Sequence, residues 1–165
     1  MANKITIAQI MTMPAISVRP STSLLEAAKL MDSHHFNGLP VTDDAGILVG
    51  IVTEYNLISK GSTLHLPTLQ AVLSNLPIFS RDETEFKKEV SGVMAMTVTD
   101  VMDTSPLTLL NTSTFEDAVR MFTEHHRVNP IPIIDKNKKV VGVVSRFDVL
   151  KPFVMLQQQT KKEGE

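Results

Sequence analysis

Apolar positions in this chain follow two rhythms, and each rhythm occurs twice. Leu24, Ala27, Ala28 and Met31, and again Phe115, Ala118, Val119 and Phe122, fall at i, i+3, i+4 and i+7, which places each set on one face of a helix. The short runs LVGIVT, from Leu48, and VVGVVS, from Val140, predict strands instead, and their apolar content requires cover by helices. Polar residues punctuate both patterns. Ser23 with Glu26, and Thr114 with Asp117, have the spacing of a capping box, so the two helices are predicted to begin there. Short extended segments, Ala15 to Val18 and Leu107 to Leu110, precede the caps. Pro40 and Pro132 are read as opening the next strand, where a missing N–H is tolerated. DDAG and DKNK are turn sequences that lead into the final strands.

These patterns belong to an internal duplication. Residues 10–58 can be laid on residues 101–150 with one extra residue in the second copy, near Val128. IM at Ile10 and Met11 matches VM at Val101 and Met102, SLLEAAKLM matches TFEDAVRMF, and LPVTDD matches IPIIDK. ILVGIVTEYNL then matches KVVGVVSRFDV. Each copy reads as strand, helix, strand, strand, helix, an α+β unit. The expected organisation is a first motif over 1–58, a connection over 59–95, a second motif over 96–156 and a flexible tail over 157–165. Within the connection, Leu69, Val72, Leu73 and Leu76 share a helical face and DETEFKKEV suits a polar helix, with loops at 60–67 and 77–82.

Composition narrows the chemistry. With 165 residues, one compact domain or two small units sharing a core are expected, and a separate large catalytic domain is not. Aromatic residues are 5% of the chain and Trp is absent, so the core must rest on Val, Ile, Leu and Met. A formal net charge of -2, without a Lys/Arg run longer than two, gives no basic surface for nucleic acid. The lack of Cys removes disulfides, thiolate metal sites and a cysteine nucleophile. No signal-peptide pattern opens the sequence and no long apolar run crosses it, so a cytoplasmic location is expected, with no membrane partner.

Candidate chemistry is sparse. The pairs His34–His35 and His125–His126 are adjacent on a helix and point about 100° apart, unlike the i, i+4 arrangement that chelates a metal. They are read as helix-end residues that satisfy the last carbonyls, and no metal site is expected. Neither a Gly-x-Ser-x-Gly elbow nor a Gly-rich phosphate loop is present, so no catalytic residue is assigned and the chain is not expected to be an enzyme. Met94, Met96 and Met102 are read as core or interface fillers. The spacing of Ser145 and Asp148 suits a helix cap, which leaves acceptor positions free for a further role.

The ordered set IM/VM, LPVTD/IPIID and GIVTEYN/GVVSRFD, present twice, resembles the paired cystathionine-beta-synthase (CBS) domains of regulatory and stand-alone bacterial proteins. The resemblance implies two CBS motifs packed about a pseudo-twofold axis, with clefts that bind adenosine-containing ligands such as AMP, ADP, ATP or S-adenosylmethionine as regulatory ligands rather than cofactors. It also implies that Ser145 and Asp148 hold the ribose hydroxyls, with Thr53 and Asn56 as the altered counterpart. A carboxylate offers two charged acceptor oxygens where an Asn amide offers one, so the Asp148 site is expected to be the stronger. Val128, Asn129, Pro130, Ile131 and Pro132, together with Thr104 and Thr108, are expected to line the adenine pocket, and Arg146 to attract phosphate. The weaker second site would comprise Thr53, Asn56, Asn37, Gly38 and Leu39, with Glu54 repelling phosphate. Gly38 and Pro130 stand where some nucleotide-sensing members carry a basic residue, which favours AMP or a ligand of few charges. A homodimer is expected through Leu57, Ile58, Leu150, Phe153 and Val154, with an unknown regulated protein as further partner. The competing reading is a structural dimerisation module without ligand.

Overall fold

The computed structural model describes residues 5–59, 91–92 and 94–153. The expected helices around Leu69 and over DETEFKKEV, the loops at 60–67 and 77–82, the tail over 157–165, Val154 and the side chain of Ile58 lie outside the described residues. In chain order the elements are α1 (Ile7–Ile10), α2 (Leu24–His34), β1 (Gly38–Thr42), β2 (Leu48–Thr53), α3 (Glu54–Ser59) and a 3-10 turn (Val98–Asp100). There follow β3 (Leu109–Leu110), α4 (Phe115–Glu124), β4 (Ile131–Ile134), β5 (Val140–Val144) and a second 3-10 turn (Asp148–Leu150).

The chain forms two compact units: Ser17–Asp44 with Val49–Ser105, here the Asn56 unit, and Met1–Ile16 with Ala45–Leu48 and Pro106–Glu165, here the Asp148 unit. In the Asn56 unit β1 pairs with β2, and α2 buries the face formed by Leu24, Ala27, Ala28 and Met31. Ser23 caps α2 by accepting the Glu26 N–H at 3.1 Å. The helix closes at His35, whose left-handed backbone (φ 55°) turns its own N–H back to the Asp32 carbonyl at 3.2 Å. This corrects the expectation that histidine side chains cap the carbonyls: the His34 ring stacks on Phe36, with centroids 5.1 Å apart. The extended segment Ala15 to Val18 contracts to one parallel bridge between Val18 and Val41. Pro40 does not open β1 but is its third residue. Its carbonyl accepts the Val18 N–H at 3.0 Å, so its nitrogen faces an edge held by that single bridge, where a missing N–H costs little.

The Asp148 unit carries a three-stranded sheet in the order β3-β4-β5, parallel between β3 and β4 and antiparallel between β4 and β5. Thr114 and Asp117 form the reciprocal capping box: the Thr114 N–H donates to Asp117 Oδ2 at 2.9 Å and the Asp117 N–H to Thr114 Oγ1 at 3.3 Å. Ala118 and Phe122 enter a core with Ile7, Ile10, Leu109, Ile131, Ile133 and Val144, and Phe115 packs against it. Val119, expected on the same face, is exposed. Pro132 lies opposite Val143, whose N–H and C=O both bond Thr12, at 3.1 and 2.9 Å. The proline therefore sits at a pair that exchanges no ladder bonds.

The leading segments cross between the repeats. Ile5 accepts the Phe115 N–H, and Thr12 bridges Val143, so the start of the first copy belongs to the unit of the second copy's strands. Conversely, Met96 accepts the Leu24 N–H, and Asp103 bridges Ile51 in the Asn56 unit. The glycine inside each repeated strand makes room for this. A Cβ at Gly142 would lie 2.8 Å from Met11 Sδ and 3.0 Å from the Thr12 carbonyl, and one at Gly50 would lie 2.8 Å from the Asp103 carbonyl.

Candidate functional site

β5 ends at Val144, and the next four residues turn sharply so that Asp148 folds back on Ser145. Asp148 Oδ2 accepts the Ser145 N–H at 2.6 Å and the Ser145 hydroxyl at 2.8 Å. Asp148 Oδ1 accepts the Thr12 hydroxyl at 3.1 Å and lies 2.6 Å from the Lys151 ammonium, which also donates to the Ile10 carbonyl at 2.7 Å. The carboxylate is buried, with its side chain 7% exposed. A buried charge of this kind persists only with such compensation.

β2 ends in the same local geometry. Asn56 Oδ1 accepts the Thr53 N–H at 2.9 Å and the Thr53 hydroxyl at 2.6 Å. The two pairs thus share a cap and differ in what surrounds it. Asp103 occupies by backbone pairing the place that Thr12 holds in the other unit, but its Oδ1 accepts the Ser105 N–H.

The residues expected beside the ribose pair fall mostly in the Asp148 unit, as do Val128 to Pro132 and Thr108, whereas Thr104 belongs to the Asn56 unit. Arg146 is exposed, and its guanidinium donates to the His126 carbonyl and lies 5.8 Å over the Phe122 ring. Its backbone N–H donates to Asn129 Oδ1 at 3.1 Å, which ties the turn after β5 to the entry of β4. Ile131 is fully buried in the core, so its side chain presents no surface to a ligand. Pro130 and Pro132 are also buried, while Val128, Asn129 and Thr108 are partly exposed.

In the Asn56 unit, Asn37 donates to Glu54 Oε2 at 3.0 Å, and Gly38 and Leu39 are buried in β1. Asn37 and Glu54 line an open cleft of about 400 Å³ with Met31, Asp32, Phe36 and Leu57. Among the described residues, no group of three or more His, Asp or Glu is placed to hold a metal ion, and no helix is long and apolar enough to cross a membrane.

Sequence spacing missed Thr12 and Lys151. Lys151 carried a usable signal, since an opposite charge three residues from Asp148 meets it on a helical turn. Thr12 carried none, because 136 residues separate it from its partner.

The CBS domain family model matches residues 7–62 and 98–154. The chloroplastic CBS domain-containing protein CBSX2 of Arabidopsis thaliana is 28% identical over 152 residues, 87% of this chain and 60% of that protein. The related Arabidopsis protein CBSX1 is 25% identical and also matched over 60% of its length, so this chain spans less than two thirds of these relatives. The crystal structure of the CBSX2 CBS pair superposes with a TM-score of 0.69, covering 94% of this chain and 99% of that one. A second CBSX2 structure, in complex with AMP, gives a TM-score of 0.66 at 28% identity over 93% of this chain and 98% of that one. Taken with the duplicated strand and helix motifs and the paired caps at Thr53/Asn56 and Ser145/Asp148, these likenesses establish that the chain belongs to the CBS domain family, as a tandem pair of CBS motifs.

Proposed function

We propose that the chain is a regulatory module that binds an adenosine-containing nucleotide, with Ser145 and Asp148 taking the ribose and one ligand bound per chain. The observation that carries this reading is the carboxylate of Asp148, fixed at the end of β5 by its own cap. The AMP complex of a relative with 28% identity supports the ligand class. The partly exposed groups of Val128 and Asn129 are offered to the base, and Arg146 would have to leave the His126 carbonyl to meet a phosphate. Neither Gly38 nor Pro130 supplies positive charge, which favours AMP over ATP. On this reading the module acts by ligand-dependent contact with a regulated protein, as a cytoplasmic homodimer, and catalyses nothing itself.

Titration calorimetry of the full chain against AMP, ATP and S-adenosylmethionine tests the proposal. Heat with AMP at one site per chain is the expected result; no heat and no thermal shift with any of the three would exclude it.

A second reading has an observation of its own. Both oxygens of Asp148 are already engaged by donors from the chain. A structural module in which this carboxylate only fastens Thr12, Ser145 and Lys151 together would look the same. Protein purified with a nucleotide absorbance at 260 nm would speak against it, since one Tyr and no Trp contribute little background.

A further inference from the structure

A carboxylate offers about four lone-pair positions. At Asp148 each has a donor: the Ser145 N–H and hydroxyl on Oδ2, and the Thr12 hydroxyl and Lys151 ammonium on Oδ1. Two ribose hydroxyls cannot bind there as additional donors; at least one present donor must leave. The four are not equally free to do so. Ser145 is covalently three residues away, and its N–H is fixed by the turn. Thr12 has its backbone held by the antiparallel bridge to Val143, so its hydroxyl stays beside the carboxylate and can only rotate away from it. Lys151 reaches Oδ1 on a flexible four-carbon stem, its side chain is 41% exposed, and water can solvate its ammonium once it is released.

We infer that Lys151 is an internal occupant of the ribose position, displaced by the ligand, and so a residue that sets the affinity of the site. The inference rests on the ribose reading of Asp148 and adds to it a competitor supplied by the chain itself. The displaced residue also begins the helical residues 151–153 that follow the 3-10 turn and include the exposed Phe153, with exposed Leu150 just before them. The same ammonium also donates to the Ile10 carbonyl, so Lys151 links this segment to the start of the chain as well as to the carboxylate. The exposed apolar side chains of Leu150 and Phe153 thus flank the displaced lysine in sequence.

The apparent affinity of a site is lowered by the fraction of time in which it is blocked. Lys151→Met should then bind adenosine about tenfold more tightly than the parent chain, and Lys151→Arg, which keeps the cation, should not. A purely structural role for Lys151 would weaken binding or leave it unchanged. Adenosine is the probe because it lacks a phosphate that a released lysine could capture.

A measurement without substitution guards against a misfolded variant. Amine acetylation of the full-length chain, read by mass spectrometry, should modify Lys151 faster when adenosine is present. Equal affinities of parent and Lys151→Met chains, or slower acetylation with adenosine bound, would overturn the role of Lys151 while leaving the ribose site intact. Absence of adenosine and AMP binding by both chains would remove the ribose site, and the inference with it.

Discussion

Asp148 and Asn56 differ by one atom type, yet the two caps acquire different neighbours. Each side chain closes on the hydroxyl residue three positions earlier, and in this respect the aspartate and asparagine are equivalent. Only the carboxylate also draws a lysine and a distant threonine onto its second oxygen. Asp148→Ala is therefore expected to act twice. It should lower AMP affinity by about 2 kcal/mol, roughly thirtyfold, by removing charge-assisted bonds, as calorimetry would register. It should also lower unfolding stability by about 1–2 kcal/mol in denaturant, because the Ser145 N–H loses its acceptor. Asn56→Ala should show a cap penalty of about 0.5–2 kcal/mol and little change in AMP affinity. An Asn56 substitution that damaged binding more than the Asp148 one would reverse the assignment of the working site. Local spacing disclosed the two caps; it could not disclose Thr12, since no rule of sequence separation links residues 12 and 148.

At the scale of elements, the repeated strand depends on a residue without a side chain. Gly142 and Gly50 lie where the crossing segments approach so closely that a methyl group would meet a backbone carbonyl at 3.0 and 2.8 Å. Gly142→Ala and Gly50→Ala should each cost about 1–3 kcal/mol in chemical unfolding, with Gly50 the worse, because the atom it meets most closely is backbone and not the movable end of a methionine. Wild-type stability of both variants would mean that the bridges at Thr12 and Asp103 yield easily. Ile131 gives a different lesson. Its position beside the site in sequence suggests adenine contact, but β4 is buried along Ile131, Pro132 and Ile133, and the side chain of Ile131 belongs to the core with Ile7, Phe122 and Val144. Ile131→Asp should therefore abolish folding before it affects binding, and Ile131→Ala should cost about 2–5 kcal/mol, measurable by urea titration. Periodicity found the buried face of α2 in full and that of α4 in part: Val119 satisfies the helical spacing but is left exposed by the packing of its unit.

At the scale of the whole molecule, Phe147, Leu150 and Phe153 remain 78%, 54% and 64% exposed in the single chain. We propose that these exposed apolar groups belong to the surface through which two copies associate. The proposed homodimer should appear at twice the mass of 18.2 kDa in light scattering at tens of micromolar, and Leu150→Asp combined with Phe153→Asp should return it to the monomer mass. A monomeric parent chain would remove this assembly. The duplication, the α+β elements, the caps and the turns were legible in the sequence because they depend on residues within a few positions of one another, where propensity and periodicity act. The turns even hide a substitution that backbone physics permits: Gly46 at φ 79° has its counterpart in Lys138 at φ 63°. The crossing of the leading segments was not legible, because two similar repeats offer similar local partners and only packing decides which strand each segment joins. That decision brings Thr12 and the Ile10 carbonyl to the Asp148 unit, and with them the full set of donors around its carboxylate. Sequence determined that a carboxylate would stand at the end of the last strand; tertiary structure decided who surrounds it, since burying a charge demands partners from wherever the fold can supply them.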